Sequence, residues 1–232
     1  MSGRRLRLAG AAIAIAIFAL PAAANFLVLD ARGEGVAKQY PIGSDAGLIE
    51  LGQAESVVVM DGVALRTLTG PGAFRPESET NVAEGLSERL KRILPAPGEE
   101  SEKIGAVRGG NADVTEDHQL IDVQSSGPKC VDSLTGIQLW RPDSASRVRA
   151  SIQPKSGRRK HFFTWAANDH VEMWPRRLSP SFGETYLLSI SGATPREIVL
   201  IEVDLDAPAG HVLRQLVEAG CSGQARALIK SR

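Results

Sequence analysis

The chain is predicted to be mainly β: a small N-terminal β unit with one helix, then an antiparallel β-sandwich with C-terminal helices. Three observations predict this. Glu55–Phe74 carries two apolar runs around Asp61-Gly62. Asp-Gly between such runs is a strong hairpin signal, because a type I′ turn needs φ > 0 at both central residues. From Gln119 onward, short alternating runs recur with Gly or Pro between most of them, the pattern of a sandwich. Finally, Val212, Leu213, Leu216 and Val217 switch to helical spacing.

In order, Phe26–Ala31 reads as a strand, Val36–Ile42 as a weak extended segment ending near Pro41, and Leu48–Leu51 as a short strand. A two-residue Asp61-Gly62 loop sets Met60 opposite Val63, Val58 opposite Leu65 and Ser56 opposite Thr67. Val58, Met60, Val63 and Leu65 then share one face. Val57, Val59 and Arg66 share the other, which is only half apolar. A lone hairpin is marginal in water, so more strands or a helix must cover it. Gly70-Pro71-Gly72 breaks the strand. Val82, Leu86, Leu90, Ile93 and Leu94 form a helical stripe, opened by a capping-box pattern at Asn81 and Glu84 and stopped by Pro95.

Residues 95–118 are rich in Pro, Gly and charge and read as a linker. The expected organisation is a signal peptide at 1–24, the β unit with its helix at 25–94, the linker at 95–118, and the sandwich with its tail at 119–232. Strand candidates of the sandwich are Leu120–Val123, Ile137–Trp140, Arg147–Gln153, His161–Trp165, Val171–Trp174, Thr185–Ile190 and Glu197–Leu205. Gly220 suits the end of the first tail helix. Ser222 is a candidate cap for a second, holding Ala225, Leu228 and Ile229.

Arg4, Arg5 and Arg7, the apolar run Leu8–Leu20, and Ala22-Ala23-Ala24 follow the order of a secretory signal. The expected location is therefore periplasmic or secreted. The alternative is an inner-membrane anchor, because apolar character nearly continues through Phe26–Leu29. Removing the three leader arginines from 27 basic residues leaves 24, against 27 acidic. That mild negative balance argues against nucleic-acid binding. Cys130 and Cys221 would meet an oxidising compartment after export, where a disulfide is the default.

The sequence offers no familiar catalytic constellation. None of His118, His161, His170 and His211 pairs with another at helical spacing, and no C-x-x-C occurs. There is therefore no metal signature and no cofactor motif. No G-x-S-x-G is present. Ser126-Gly127-Pro128-Lys129 matches S-x-x-K, but its Gly and Pro make it a turn and no companion motif follows. Glu202, Asp204 and Asp206 share one strand face, read as a solvated edge or a calcium-binding one.

Two features suit ligands. Lys155, Arg158, Arg159 and Lys160 crowd one turn, with Arg176-Arg177 nearby in sequence. An envelope polyanion could use such a patch. Trp140, Trp165 and Trp174 all fall in the sandwich, where an exposed indole face would stack on a sugar and a buried one would fill the core.

The stretch Leu51–Phe74 resembles the opening of FecR-like exported bacterial domains, with its valine run, Asp-Gly, and Leu-x-Gly-Pro-Gly-x-Phe rhythm. The whole mature chain resembles a group of uncharacterised exported alphaproteobacterial proteins. The shared marks are Ile104–Gly109, Lys129-Cys130-Val131, Leu139-Trp140-Arg141-Pro142, Trp174-Pro175, Gly183–Tyr186, and Ala219-Gly220-Cys221 followed by Gln224. This resemblance implies a periplasmic β-rich protein with a disulfide and implies no activity.

Two functions are expected from these readings, with an enzyme whose site is assembled from distant residues as a third alternative. The first is a non-enzymatic exported interaction or structural module with an envelope protein or glycan as partner. The second is a carbohydrate or envelope-polyanion binder using Trp140, Trp165, Trp174, Arg158, Arg159 and Lys160. Membrane contact is expected only through an uncleaved N-terminal segment.

Overall fold

The computed structural model describes residues 25–33, 35–77, 85–94, 117–191 and 193–232. The leader at 1–24, the capping box at Asn81 and Glu84, the Ile104–Gly109 motif and most of the expected linker lie outside the described residues. The N-terminal part comprises β1 (Phe26–Arg32), α1 (Val36–Gln39), β2 (Asp45–Ala46), β3 (Ile49–Leu51), β4 (Ser56–Asp61), β5 (Ala64–Thr69), β6 (Gly72–Phe74) and α2 (Leu86–Ile93). An antiparallel sheet runs β2-β1-β4-β5, and β3 pairs with β6.

Alternation along β1 and β4 sends apolar side chains to both faces of this sheet. Leu27, Leu29, Val58 and Met60 enter one core. Phe26, Val28, Val57 and Val59 enter another, covered by Val36, Tyr40, Ile49 and Leu51. The second face is more apolar than the hairpin alone implies, because β1 contributes half of it.

The hairpin forms with a corrected register. Asp61 pairs with Ala64, Met60 with Leu65, and Val58 with Thr67, so Gly62-Val63 is the loop. Gly62 has φ +60°, and Val63 is not among the positive-φ residues. That fits a type II′ turn, which needs positive φ only at its first centre. The slip is two residues, so Leu65 stays on the face of Met60, while Val63 moves into the exposed loop. Asp61 is drawn into the strand because its carboxylate is buried, accepts from the Glu77 N–H at 3.1 Å and lies 3.6 Å from Arg66.

The segment expected to be extended at Val36–Ile42 instead begins with one helical turn, α1. It places Val36 and Tyr40 together on the sheet, and the Tyr40 hydroxyl accepts from the Glu50 N–H at 2.7 Å.

The second part contains β7 (Ile121–Asp122), β8 (Gly127–Val131), β9 (Gln138–Trp140), β10 (Val148–Pro154), β11 (His161–Trp165), β12 (Val171–Met173), β13 (Thr185–Ile190) and β14 (Arg196–Glu202). A five-stranded sheet, β11-β10-β13-β14-β8, faces a three-stranded sheet, β12-β9-β7. Between them lie Ile121, Leu139, Ile152, Trp165, Tyr186, Leu188, Ile198 and Leu200, among others. This is the expected β-sandwich. Two of its pairings, β14 with β8 and β7 with β9, are parallel. Strand β8 occupies the stretch expected to be a turn. Its Pro128 is tolerated because β8 is an edge strand, where a missing N–H costs little.

The tail forms α3 (Ala209–Glu218) and α4 (Ser222–Lys230). Gly220, at φ +77°, ends α3 as expected. Its N–H donates to the Val217 carbonyl and that of Cys221 to the Leu216 carbonyl, a Schellman closure. Cys221 thereby becomes the residue preceding α4, and the expected cap, Ser222, is already helical. The apolar stripes of both helices lie on Leu27, Leu29, Val58 and Met60, with Leu86 and Leu90 of α2 in the same core. Cys130 and Cys221 form the disulfide within it.

Candidate functional site

At one side of the sandwich, β11 and β12 are the outermost strands of their sheets. A groove of about 990 Å³ opens there. Arg159 and Lys160 line it from the β10–β11 turn, and Arg176 and Arg177 from the segment after β12. Phe162, 58 % exposed, and Met173, 46 % exposed, add apolar surface. Glu172 also lines it, but its Oε1 accepts from the Met173 N–H at 3.0 Å.

Backbone and side-chain bonds hold both cationic segments. In the β10–β11 turn, the Gly157 N–H donates to the Pro154 carbonyl at 3.0 Å, and Gln153 Nε2 donates to the Gly157 carbonyl at 2.8 Å. Ser156 Oγ donates to Glu184 at 2.8 Å. Lys155, expected in the patch, instead pairs with Glu197 at 2.9 Å. Arg158 is exposed on the same turn but does not line the groove. After β12, Trp174 Nε1 donates to the Leu178 carbonyl at 2.9 Å, bridging the segment that carries Arg176 and Arg177. The Trp174 ring meets Tyr186 edge to face at 5.0 Å.

The corner joining β11 to β12 is pinned by Arg141, only 4 % exposed. Its Nε donates to the Asp169 carbonyl, and Nη2 donates to the carbonyls of Ser146 and Ala166, all within 3.0 Å. The guanidinium lies 5.6 Å from the Trp165 ring centroid. Carbonyl dipoles and the ring face solvate this buried cation. His170 Nδ1 lies 3.0 Å from the Arg141 carbonyl, which only accepts, so Nδ1 carries a proton. The Leu139-Trp140-Arg141-Pro142 mark thus has a structural use: its arginine ties down the β11–β12 connection beside the groove.

The tryptophans are corrected as ligand platforms. Trp140, Trp165 and Trp174 are all buried, so no indole face is open to a sugar. Two small sheets need bulky fillers, and the indoles supply them. Of the six candidate ligand residues, Arg159 and Lys160 are brought into the groove, and buried Trp174 adds to its wall. Phe162 and Met173 were not singled out from the sequence. Alternation against Phe163 and Trp165 is the signal that turns Phe162 outward.

The S-x-x-K stretch lies elsewhere. Lys129 is buried beside the sandwich core and donates to Ser125 Oγ, not Ser126, at 2.5 Å. Among the described residues no three His, Cys, Asp or Glu side chains converge on a metal position. Asp204 Oδ1 accepts from the Asp206 N–H at 3.1 Å. Compared with family models, curated proteins and solved structures, the chain matches none.

Proposed function

We propose that the protein is an exported, non-enzymatic interaction module whose basic groove receives an anionic partner in the envelope. The observation that carries this reading is the convergence of Arg159, Lys160, Arg176 and Arg177 around exposed Phe162 and Met173. Guanidinium groups stay charged at any physiological pH; they bind anions and do not shuttle protons. The leader pattern and the Cys130–Cys221 disulfide support export. Among the described residues, no helix is long and apolar enough to cross a membrane. The FecR-like resemblance of the N-terminal β unit belongs to the same reading. An anionic envelope glycan is the second reading, favoured by the cation cluster and engaging it without the tryptophans.

The test is titration of the oxidised protein with polyglutamate and with heparin at low and physiological ionic strength. Binding is expected to weaken with salt. It is also expected to fall by about tenfold or more in Arg159→Glu/Arg176→Glu, the scale of one or two lost charge contacts. Wild-type protein that binds neither polymer at low ionic strength would overturn the proposal.

A further inference from the structure

The two edges of the five-stranded sheet are treated differently by the fold. At β8, the side chain of Gln224 substitutes for a neighbouring strand. Its Oε1 accepts from the Cys130 N–H at 2.7 Å, and its Nε2 donates to the Cys130 carbonyl at 2.7 Å and to that of His118 at 2.8 Å. Helix α4 and the disulfide lie over the same strand. That edge is closed, as edges of soluble sheets must be if they are not to recruit other chains.

The opposite edge, β11, has no such cover. It pairs with β10 on one side through all five residues. Among the described residues, no other backbone or side-chain group bonds to its outer edge. Every second residue of an antiparallel edge strand directs its N–H and C=O away from its partner. The open edge runs beside the groove, with Phe162 exposed near its start and the Arg149 guanidinium 4.5 Å from that ring. Cations stand at both ends. Arg159 and Lys160 precede the strand, while past Arg149, which reaches back over Phe162 from β10, Arg147 stands near the Thr164 end.

We propose that the partner is an extended acidic polypeptide segment that adds as a further strand to the outer edge of β11. This rests on the reading that the groove takes an anionic partner. Main-chain hydrogen bonds would supply affinity, and alternate side chains specificity. A period of two then sets the pattern of the ligand: acidic, any, apolar, any, acidic, with the apolar residue beside Phe162 and the acids toward the cations at each end. A glycan would leave the edge's N–H and C=O groups unpaired. A second copy of this chain would bring two sets of these cations together.

The probe is acetyl-Glu-Thr-Val-Thr-Glu-amide, titrated into the full-length oxidised protein. Two further peptides of identical charge carry N-methyl groups on alternate residues, one in each phase. The parent peptide is expected to bind. One N-methylated phase should lose about tenfold or more, because its methyls replace the donors that face β11, while the other phase binds nearly as the parent. Amide exchange should slow at alternate positions of residues 161–165. Equal affinity of the two N-methylated peptides overturns strand addition. Heparin binding without peptide binding also overturns it and leaves the anionic-partner reading standing. Binding of neither probe removes both. A concentration-dependent dimer that the peptide does not dissociate assigns the edge to a second copy and overturns the proposal.

Discussion

Lys129 is a charged residue held where charge is disfavoured. Burial lowers its pKa from the ordinary 10.5 to about 8, with Asp122 opposing the shift. The unfolded chain therefore holds this proton more tightly than the folded one. The penalty is constant below pH 8, is relieved as pH rises from 8 to 10.5, and is absent above. Its ceiling is about 3 kcal/mol from the size of the shift. Lys129→Met removes the titrating group. Urea unfolding midpoints of both proteins at pH 7 and pH 10 test this. The wild type should gain on the variant as pH rises, and a gap that stays constant across that window contradicts the assignment. Inward-pointing lysine on an edge strand is also a device against edge pairing, so this unfavourable charge has a use at β8.

Among the elements, α3 docks on the hairpin turn through a single glycine. The Gly210 N–H donates to the Val63 carbonyl at 3.0 Å, and a Cβ at Gly210 would meet that oxygen at 2.3 Å. Alanine would favour the helix by about 1 kcal/mol. The steric conflict with backbone outweighs that gain, for a net cost of about 1 to 2 kcal/mol. Equilibrium denaturation of Gly210→Ala measures the balance; a neutral or stabilised variant would mean that the helix is not seated on this turn. The same docking explains why the hairpin uses Gly62-Val63 as its loop. Val63 must present its carbonyl to α3, and Asp61 must stay in the strand beside Arg66.

For the whole molecule, the disulfide joins parts that the chain separates by 91 residues. It lies in the core that also holds the N-terminal sheet, α2 and both tail helices. Chain-entropy reasoning assigns it about 4 to 5 kcal/mol, with smaller values common in practice. Reduction should therefore lower stability throughout the molecule. Two probes can follow it: fluorescence of the three tryptophans in the sandwich, and amide exchange in β1 and β4. Both should shift together. An N-terminal sheet indifferent to reduction would show that the shared core does not couple the two parts.

Much of the fold was legible because local physics decides it. His161–Trp165 and Thr185–Ile190 were bounded correctly from their patterning and the Gly and Pro between strands, and the two tail helices were recognised from their apolar spacing, though the second begins one residue before its expected cap allows. β8 was hidden because Gly127-Pro128-Lys129 has no strand propensity; its pairing with β14 and the bonds from Gln224 override that deficit. The basic turn was visible as a charge run. Arg176 and Arg177 were noted only as sequence neighbours of that turn; that both segments line one groove was not legible, because no local rule relates the ends of two strands that belong to different sheets.

By itself, then, the sequence determined the β-rich class, the helical tail, the pairing of its only two cysteines and the presence of cations near β11. These follow from periodicity, composition and elimination within short windows. Only the tertiary structure decided which hairpin register holds, which side chain closes β8, that the tryptophans are core, and that the cations share a groove. Those outcomes depend on which distant surfaces meet, and burial against a remote partner outweighs the small local preferences that a short window can read.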